Sequence, residues 1–183
     1  VGGFFHLHQP EVCRNWTMAQ WDRFCKGCVQ VLDATDYKRE AVKDKDGRPV
    51  IDKVFEYVDL GLIDIKHMDS QIHKKLTGVP NEQILENIKH VHNDLGIPVI
   101  IRVPTVPVCN GDTGNIAATA KFVKNELGED VKIHLLPYHR LGESKEESLG
   151  RLIHRTFTVP DNSYMEMLKG IAESFGADVQ IGG

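Results

Sequence analysis

The sequence predicts an α/β fold of parallel strands covered by helices. Two observations predict it. From residue 55 onward, short β-branched runs alternate with segments of helical periodicity. The strand runs also read as apolar on both faces, which is how strands buried in a parallel sheet read.

The elements follow in order. "YVDLGLIDIK" (57–66) is a strand built on Val58, Leu60, Leu62, Ile63 and Ile65. "PNEQILENIKHVHNDLG" (80–96) is a helix. Ile84, Leu85, Ile88, Val91 and Leu95 recur at helical spacing, Asn81 can cap its start and Gly96 closes it. "PVIIRVPTVPV" (98–108) is the second strand. "DTGNIAATAKFVKNELG" (112–128) is a helix with Asp112 or Thr113 as cap, and "VKIHLLPYH" (131–139) is the third strand. "DNSYMEMLKGIAESFG" (161–176) is a helix capped by Asp161 or Asn162, and "ADVQIG" (177–182) is a short last strand.

In parallel sheets and barrels, functional groups gather at the carboxyl ends of the strands. Asp64 and Lys66 end the first strand, Arg102 lies towards the end of the second, and His139 and Arg140 follow the third. Taken singly, each has a plain structural explanation. Asp64 and Lys66 share a strand face and can pair with each other, Arg102 can be an ion-pair partner, and His139 can be a surface loop residue. Their joint placement on one rim favours a site.

The 183 residues suffice for one domain, or for a core with a small appendage. The formal net charge of −4 argues against a general nucleic-acid binder. No apolar run is long enough to span a bilayer, and "VGGFFHLHQPEVC" lacks the form of a signal peptide, so a cytoplasmic protein is expected. Residues 1–54 read as irregular and Cys-containing, and 55–183 as the regular α/β unit. In a cytosolic chain, metal ligation is a stronger expectation than disulfides. Cys25 and Cys28 of "CKGC", with Cys13, are candidate ligands for zinc or a cluster, with His6 or His8 as a fourth. Cys109 has no assigned role. "NGDTGN" lacks the spacing and Lys of a P-loop and reads as a turn and cap. His90 and His92 read as surface residues, and His67 and His73 as shaping the loop after the first strand.

Three segments carry a family resemblance: "DLGLIDIKHMDSQIHKKLTGVPNEQILENI", "IIRVPTVP" and "LLPYHRLGESKEESLG". They resemble the glycyl-radical-enzyme activating proteins of the radical S-adenosylmethionine family, over about residues 55–183. The resemblance implies that this region forms the later βα units of a partial (β/α)6 barrel. It implies an oxidoreductase in which a [4Fe–4S] cluster delivers an electron to S-adenosylmethionine. The deoxyadenosyl radical formed then takes hydrogen from a glycine of a large anaerobic partner, the glycyl radical enzyme. The implied electron donor is a flavodoxin or ferredoxin. It further implies that Asp64, Lys66 and His139 line the S-adenosylmethionine site and that Arg102 faces the partner's glycine-bearing loop.

The sequence departs from that family in two places. The radical motif CxxxCxxC is absent, as is the "GGE" stretch that grips the methionyl amino group. The region around Cys13, Cys25 and Cys28 resembles part of the ferredoxin-like insert that many relatives carry, which makes 1–54 a partial insert of that kind or an irregular Cys segment. However, the positions after "CKGC" where a bacterial-type cluster needs cysteines are Val31 and Thr35. Two explanations compete: a partial product of a longer gene, or a variant whose N-terminal segment binds metal alone. In either case the isolated chain is expected not to cleave S-adenosylmethionine. A non-enzymatic metal-binding or scaffold protein derived from the family is the alternative. A lyase or aldolase with Lys66 as a Schiff-base amine is a third reading.

Overall fold

The computed structural model describes residues 49–139 and 157–183. Within them, β1 (Gly61–Asp64), β2 (Val99–Thr105), β3 (Lys132–Pro137) and β4 (Asp178–Ile181) form one parallel sheet in chain order. The register sets Asp64 beside Arg102, Arg102 beside His134 and His134 beside Gln180. The helices are α1 (Val50–Phe55), α2 (Ser70–Thr77), α3 (Glu82–Lys89), α4 (Thr113–Phe122) and α5 (Asn162–Ser174). A strand order that never reverses, with crossovers of the one hand that parallel connections almost always take, puts the described helices on one face. This is the wall of a barrel and not a doubly wound sheet.

Burial follows that rule. Ile63, Ile101, Val103, Ile133 and Leu135 are buried and pack with Ile88 and Val91 beyond α3's first turns, Ile116 and Ala120 of α4, and Met165 and Leu168 of α5. Ile101 and Leu135, fully covered, each contribute about 2 kcal/mol of transfer free energy. The alternate positions tell a different story. Leu62, Asp64, Ile100, Arg102, His134 and Leu136 are half-buried, and Lys132, Asp178 and Gln180 are exposed. The expectation that both strand faces are apolar is therefore corrected. One face is a hydrocarbon core, and the other carries mixed polar and apolar groups with no described helix over it.

Two helices fall where the sequence pattern marks none. Residues 50–54 belong to the stretch read as irregular, yet they form most of α1, and Val54 and Phe55 enter the core. Gly61 makes room for them: a Cβ there would come within 3.2 Å of the Phe55 ring and 3.3 Å of Val99. The α2 helix lies in the stretch read as loop. Only His73 of it is buried, and its apolar pair, Ile72 and Leu76, stays exposed. It is held by its ends, with the Asp69 carboxylate accepting from Ile72 N–H and Gly78 in the left-handed region at φ 91°.

The other caps are closer to expectation. Asp112 and Asp161 cap α4 and α5, accepting from Asn115 N–H and Tyr164 N–H. Asn81 stands at the start of α3 but makes no side-chain cap there. The predicted helix over 80–96 continues past α3 as a wider, π-type turn (His90–Asp94), and Gly96 at φ 69° ends it.

His90 and His92 are not simple surface residues. His92 sets its two ring nitrogens 3.3 Å from the Ile97 carbonyl and 3.1 Å from the Leu127 carbonyl. His90 lies between Asp52 of α1 and Asp94, at 2.8 and 2.7 Å. The hydrogen bond to Asp52, then that to Asp94, raises its pKa above the ordinary histidine value of 6.5. A raised folded pKa means stability that is fully present below about pH 6.5 and lost as pH rises through the folded value. The thermal midpoint of H90Q should thus fall furthest below wild type near pH 6, and the gap should shrink by pH 9. A gap independent of pH would contradict the ion pairing.

Candidate functional site

The non-helical face of the sheet carries a charged cluster built from two strands. Asp64 ends β1, and the register sets Arg102 of β2 directly beside it. Arg102 donates from Nε (2.8 Å) and Nη2 (2.7 Å) to Asp64 Oδ1. Lys66 Nζ sits 2.7 Å from Asp64 Oδ2. One carboxylate therefore serves two cations. The side chains of Asp64 and Arg102 are 9% and 13% exposed, so the pair is largely withdrawn from water, while Lys66 at 32% reaches towards it. A buried carboxylate is tolerable only with such partners. These residues do pair, on the face that no described helix covers.

Above this cluster the chain turns away from the sheet, and three buried asparagines hold the turns. Asn110 donates to the carbonyls of Lys66 (2.8 Å) and Pro104 (2.6 Å) and accepts from Val106 N–H (2.8 Å). Asn115 donates to the Asn110 carbonyl (2.9 Å) and accepts from Met68 N–H (2.8 Å). Asn81 donates to the carbonyls of His67 (2.9 Å) and Met68 (2.8 Å). The loop after β1 is thereby tied to the loop after β2. Each buried main-chain group they satisfy would otherwise cost about 1–3 kcal/mol. His67 is buried in the same loop, its Nδ1 accepting from Asp69 N–H at 2.9 Å. His73, on α2, faces the Val79 carbonyl at 2.7 Å with Nδ1 and fixes the following turn. The loop-shaping role expected of both histidines is seen, with His73 acting from a helix.

The remaining predicted residues are placed differently. His139 lies two positions beyond β3 and is exposed, at the same end of the sheet as Lys66 but two strands away, about 10 Å laterally. The structure thus joins Asp64, Lys66 and Arg102 in contact and leaves His139 on the rim. Cys13, Cys25, Cys28 and Arg140 lie outside the described residues. Cys109 is a half-buried free thiol in the turn after β2. Among the described residues, no three His, Cys, Asp or Glu side chains are grouped to hold a metal ion. No described helix is long and apolar enough to cross a membrane.

One group on this face escaped the sequence reading. His134 stands beside Arg102 and Gln180 in the register. Its pKa is lowered from 6.5 first by burial, then by the positive charges of Lys132 and Arg102, against a smaller opposing effect of Asp178. The signal was present: His134 sits two residues after Lys132 in an otherwise apolar strand, on the face opposite Ile133 and Leu135.

Comparison with known proteins places the chain in a family. No family model matches the chain. The pyruvate formate-lyase 1-activating enzyme of Escherichia coli (strain K12) is 35% identical over 162 residues, 87% of this chain and 63% of that protein. A solved domain of the pyruvate-formate lyase-activating enzyme from Bacteroides vulgatus superposes with a TM-score of 0.59 at 31% identity, covering 76% of this chain and 75% of that domain. The chain belongs to the glycyl-radical-enzyme activating enzymes. A further member, the 4-hydroxyphenylacetate decarboxylase activating enzyme of Clostridioides difficile (strain 630), is 46% identical over 104 residues, 56% of this chain and 32% of that one. The chain spans about a third of the C. difficile activating enzyme and under two thirds of the E. coli one.

The charge cluster of this activating-enzyme chain yields a stability test. Asp64→Asn removes the carboxylate charge that Arg102 and Lys66 share in a poorly hydrated site and should cost about 3 kcal/mol in urea unfolding. Lys66→Met, at the wetter end, should cost less than about 1 kcal/mol. Equal losses from the two variants would contradict the unequal burial.

Proposed function

We propose that this chain forms the S-adenosylmethionine-binding later part of an activating enzyme that installs a radical on a glycine of a partner glycyl radical enzyme. The observation that carries this reading is the Asp64 cluster: charges of both signs, paired and half-withdrawn from water, on the uncovered face near the carboxyl ends of parallel strands. The family membership supports it. S-adenosylmethionine carries a carboxylate, an ammonium and a sulfonium, so its pocket needs both signs, and the residues present fit it.

The roles divide by reach. Lys66, the most exposed of the three, takes the methionyl carboxylate as a hydrogen-bonding cation. Asp64 holds the ammonium, or a cation beside it, while Arg102 keeps the Asp64 carboxylate oriented. Arg102 also faces the glycine-bearing loop, and His139 approaches the ligand from the rim beyond β3. The three asparagines keep the loops over the cluster fixed, so little ordering cost remains on binding. When bound and reductively cleaved, S-adenosylmethionine supplies the group that removes the hydrogen.

A [4Fe–4S] cluster does not fit the described residues, whose single cysteine is Cys109, and the sequence contains no CxxxCxxC. The cluster, the electron donor (a flavodoxin or ferredoxin) and the division into a Cys segment (1–54) and a barrel segment (55–183) therefore remain parts of the proposal. A second reading is a non-enzymatic metal-binding or scaffold protein derived from the family.

Isothermal titration with S-adenosylmethionine separates the two. The chain should bind, and Lys66→Ala should weaken binding about tenfold, the worth of one charge-assisted hydrogen bond. Binding unaffected by Lys66→Ala would contradict the assigned role. No binding by wild type would favour the scaffold reading. After reconstitution with iron, sulfide and a reductant, the isolated chain should form no 5′-deoxyadenosine. Product above the no-protein control would overturn that expectation.

A further inference from the structure

The turn after β2 holds a chemically labile pair. Asn110–Gly111 is the single Asn–Gly step in the sequence. Packing requires both residues. Asn110 is 4% exposed. Its Nδ2 donates to the carbonyls of Lys66 (2.8 Å) and Pro104 (2.6 Å), and its Oδ1 accepts from Val106 N–H (2.8 Å). A carboxylate in its place would set acceptor against acceptor at both carbonyls. Gly111 is equally constrained. A Cβ there would come within 3.2 Å of Thr105 Cγ2, and within 3.3 Å of the Tyr164 hydroxyl and of the Val106 carbonyl. Those approaches are closer than comfortable non-bonded contact.

A glycine after Asn leaves its own peptide nitrogen unshielded, so that nitrogen can attack the side-chain amide carbon of the Asn. In the closed turn this attack is held off. The Asn110 amide is fixed by its three hydrogen bonds, and Gly111 N–H donates to the Val106 carbonyl at 3.1 Å. That carbonyl also accepts from the N–H groups of Cys109 and Asn110, both at 3.1 Å, so Gly111 has only a share of it. Tyr164 braces the turn from α5 by donating to the Gly111 carbonyl at 2.7 Å. Val108, in the same turn, works the other way. It is β-branched, sits in the left-handed region at φ 62° and is 95% exposed, so opening relieves strain that no packing offsets.

We propose that Asn110–Gly111 is a self-modification site, gated by opening of this turn, whose conversion releases the loop after β2 from Lys66. The Gly111 nitrogen loses its proton to solvent base and bonds to Asn110 Cγ. The Cγ–Nδ2 bond breaks, ammonia leaves and a cyclic imide forms. Water then opens the imide at either carbonyl carbon. One product is aspartate at position 110, and the other is isoaspartate, in which the main chain runs through the former side chain. Water is the only reactant consumed. Both products lose the amide that donates to the Lys66 and Pro104 carbonyls. The isoaspartate also turns the Asn110 main-chain carbonyl, which Asn115 Nδ2 holds at 2.9 Å, into a free carboxylate. The loops after β1 and β2 then cease to act as one body. The reaction needs no ligand, so it stands or falls separately from the function proposed above.

The test incubates the full chain in mildly alkaline buffer and follows residue 110 by peptide mapping with mass spectrometry, which separates amide, aspartate and isoaspartate. Folded wild type should convert measurably, but about a hundredfold more slowly than the same chain unfolded in guanidinium chloride, the effect of holding three hydrogen bonds closed. Tyr164→Phe removes one brace and should convert about fivefold faster than wild type. Asn110→Asp should lower the thermal midpoint by about 5 °C, and converted wild type should show the same loss. Equal rates in the folded and unfolded chain, or in wild type and Tyr164→Phe, would overturn the gating. Residue 110 unchanged in the folded chain over a period that converts the unfolded chain completely would overturn the site. A thermal midpoint unaltered by conversion and by Asn110→Asp would overturn the release of the loop.

Discussion

The polar face of the sheet depends on how one carboxylate is placed. Asp64 closes β1 on the face that the helices leave open, and it is shared between Arg102 on the next strand and Lys66 two residues on. Transfer of a lone carboxylate out of water costs several kcal/mol, and a lone guanidinium costs a similar amount. Together they are tolerated, and the pairing gives the uncovered face a charged patch at a set position. The hydrocarbon on the other side of the same strands, from Ile63 to Leu135, supplies the stability on which that patch is carried.

Above the sheet, rigidity comes from polar side chains. Asn81, Asn110 and Asn115 are each almost fully buried and bond chiefly to main chain, so the loops after β1 and β2 act as one body. Tyr164 adds a brace from α5 by donating to the Gly111 carbonyl at 2.7 Å. A site whose walls are fixed this way loses little entropy on binding. The sequential strand order also matters. It places the described crossover helices on one side, and this is why a single sheet can have one sealed face and one face with no described helix over it.

Much of this was legible in the chain itself. The β-branched runs at 58–65 and 98–106 and the helical spacing of Ile84, Ile88, Val91 and Leu95 marked their elements, because burial on a regular period leaves a regular trace. The rim charges were legible for the same reason: a charge in an apolar run stands out. What was missed has physical causes. The α2 helix buries one residue and is held by its caps, and its apolar pair, Ile72 and Leu76, spans a single turn on the exposed side, too short a stripe to mark a helix. Asn81 was read as a cap because its type and place suit one, but nothing local reveals that its amide turns to carbonyls 13 and 14 residues back. His90 finds Asp52 across 38 residues, a pairing visible only in three dimensions. The strands were read as apolar on both faces because Leu62, Ile100 and Leu136 do line the open side, between the polar groups.

The central claim is that the open face, anchored by Asp64, is the face that binds. A crystal structure of the chain with S-adenosylhomocysteine, which cannot be reductively cleaved in the same way, tests it most directly. The account predicts the ligand's amino-acid end over β1 and β2, with its carboxylate in hydrogen-bonding distance of Lys66 Nζ. Ligand lodged among the helices, or a Lys66–Asp64–Arg102 cluster with no ligand atom near it, would contradict the account.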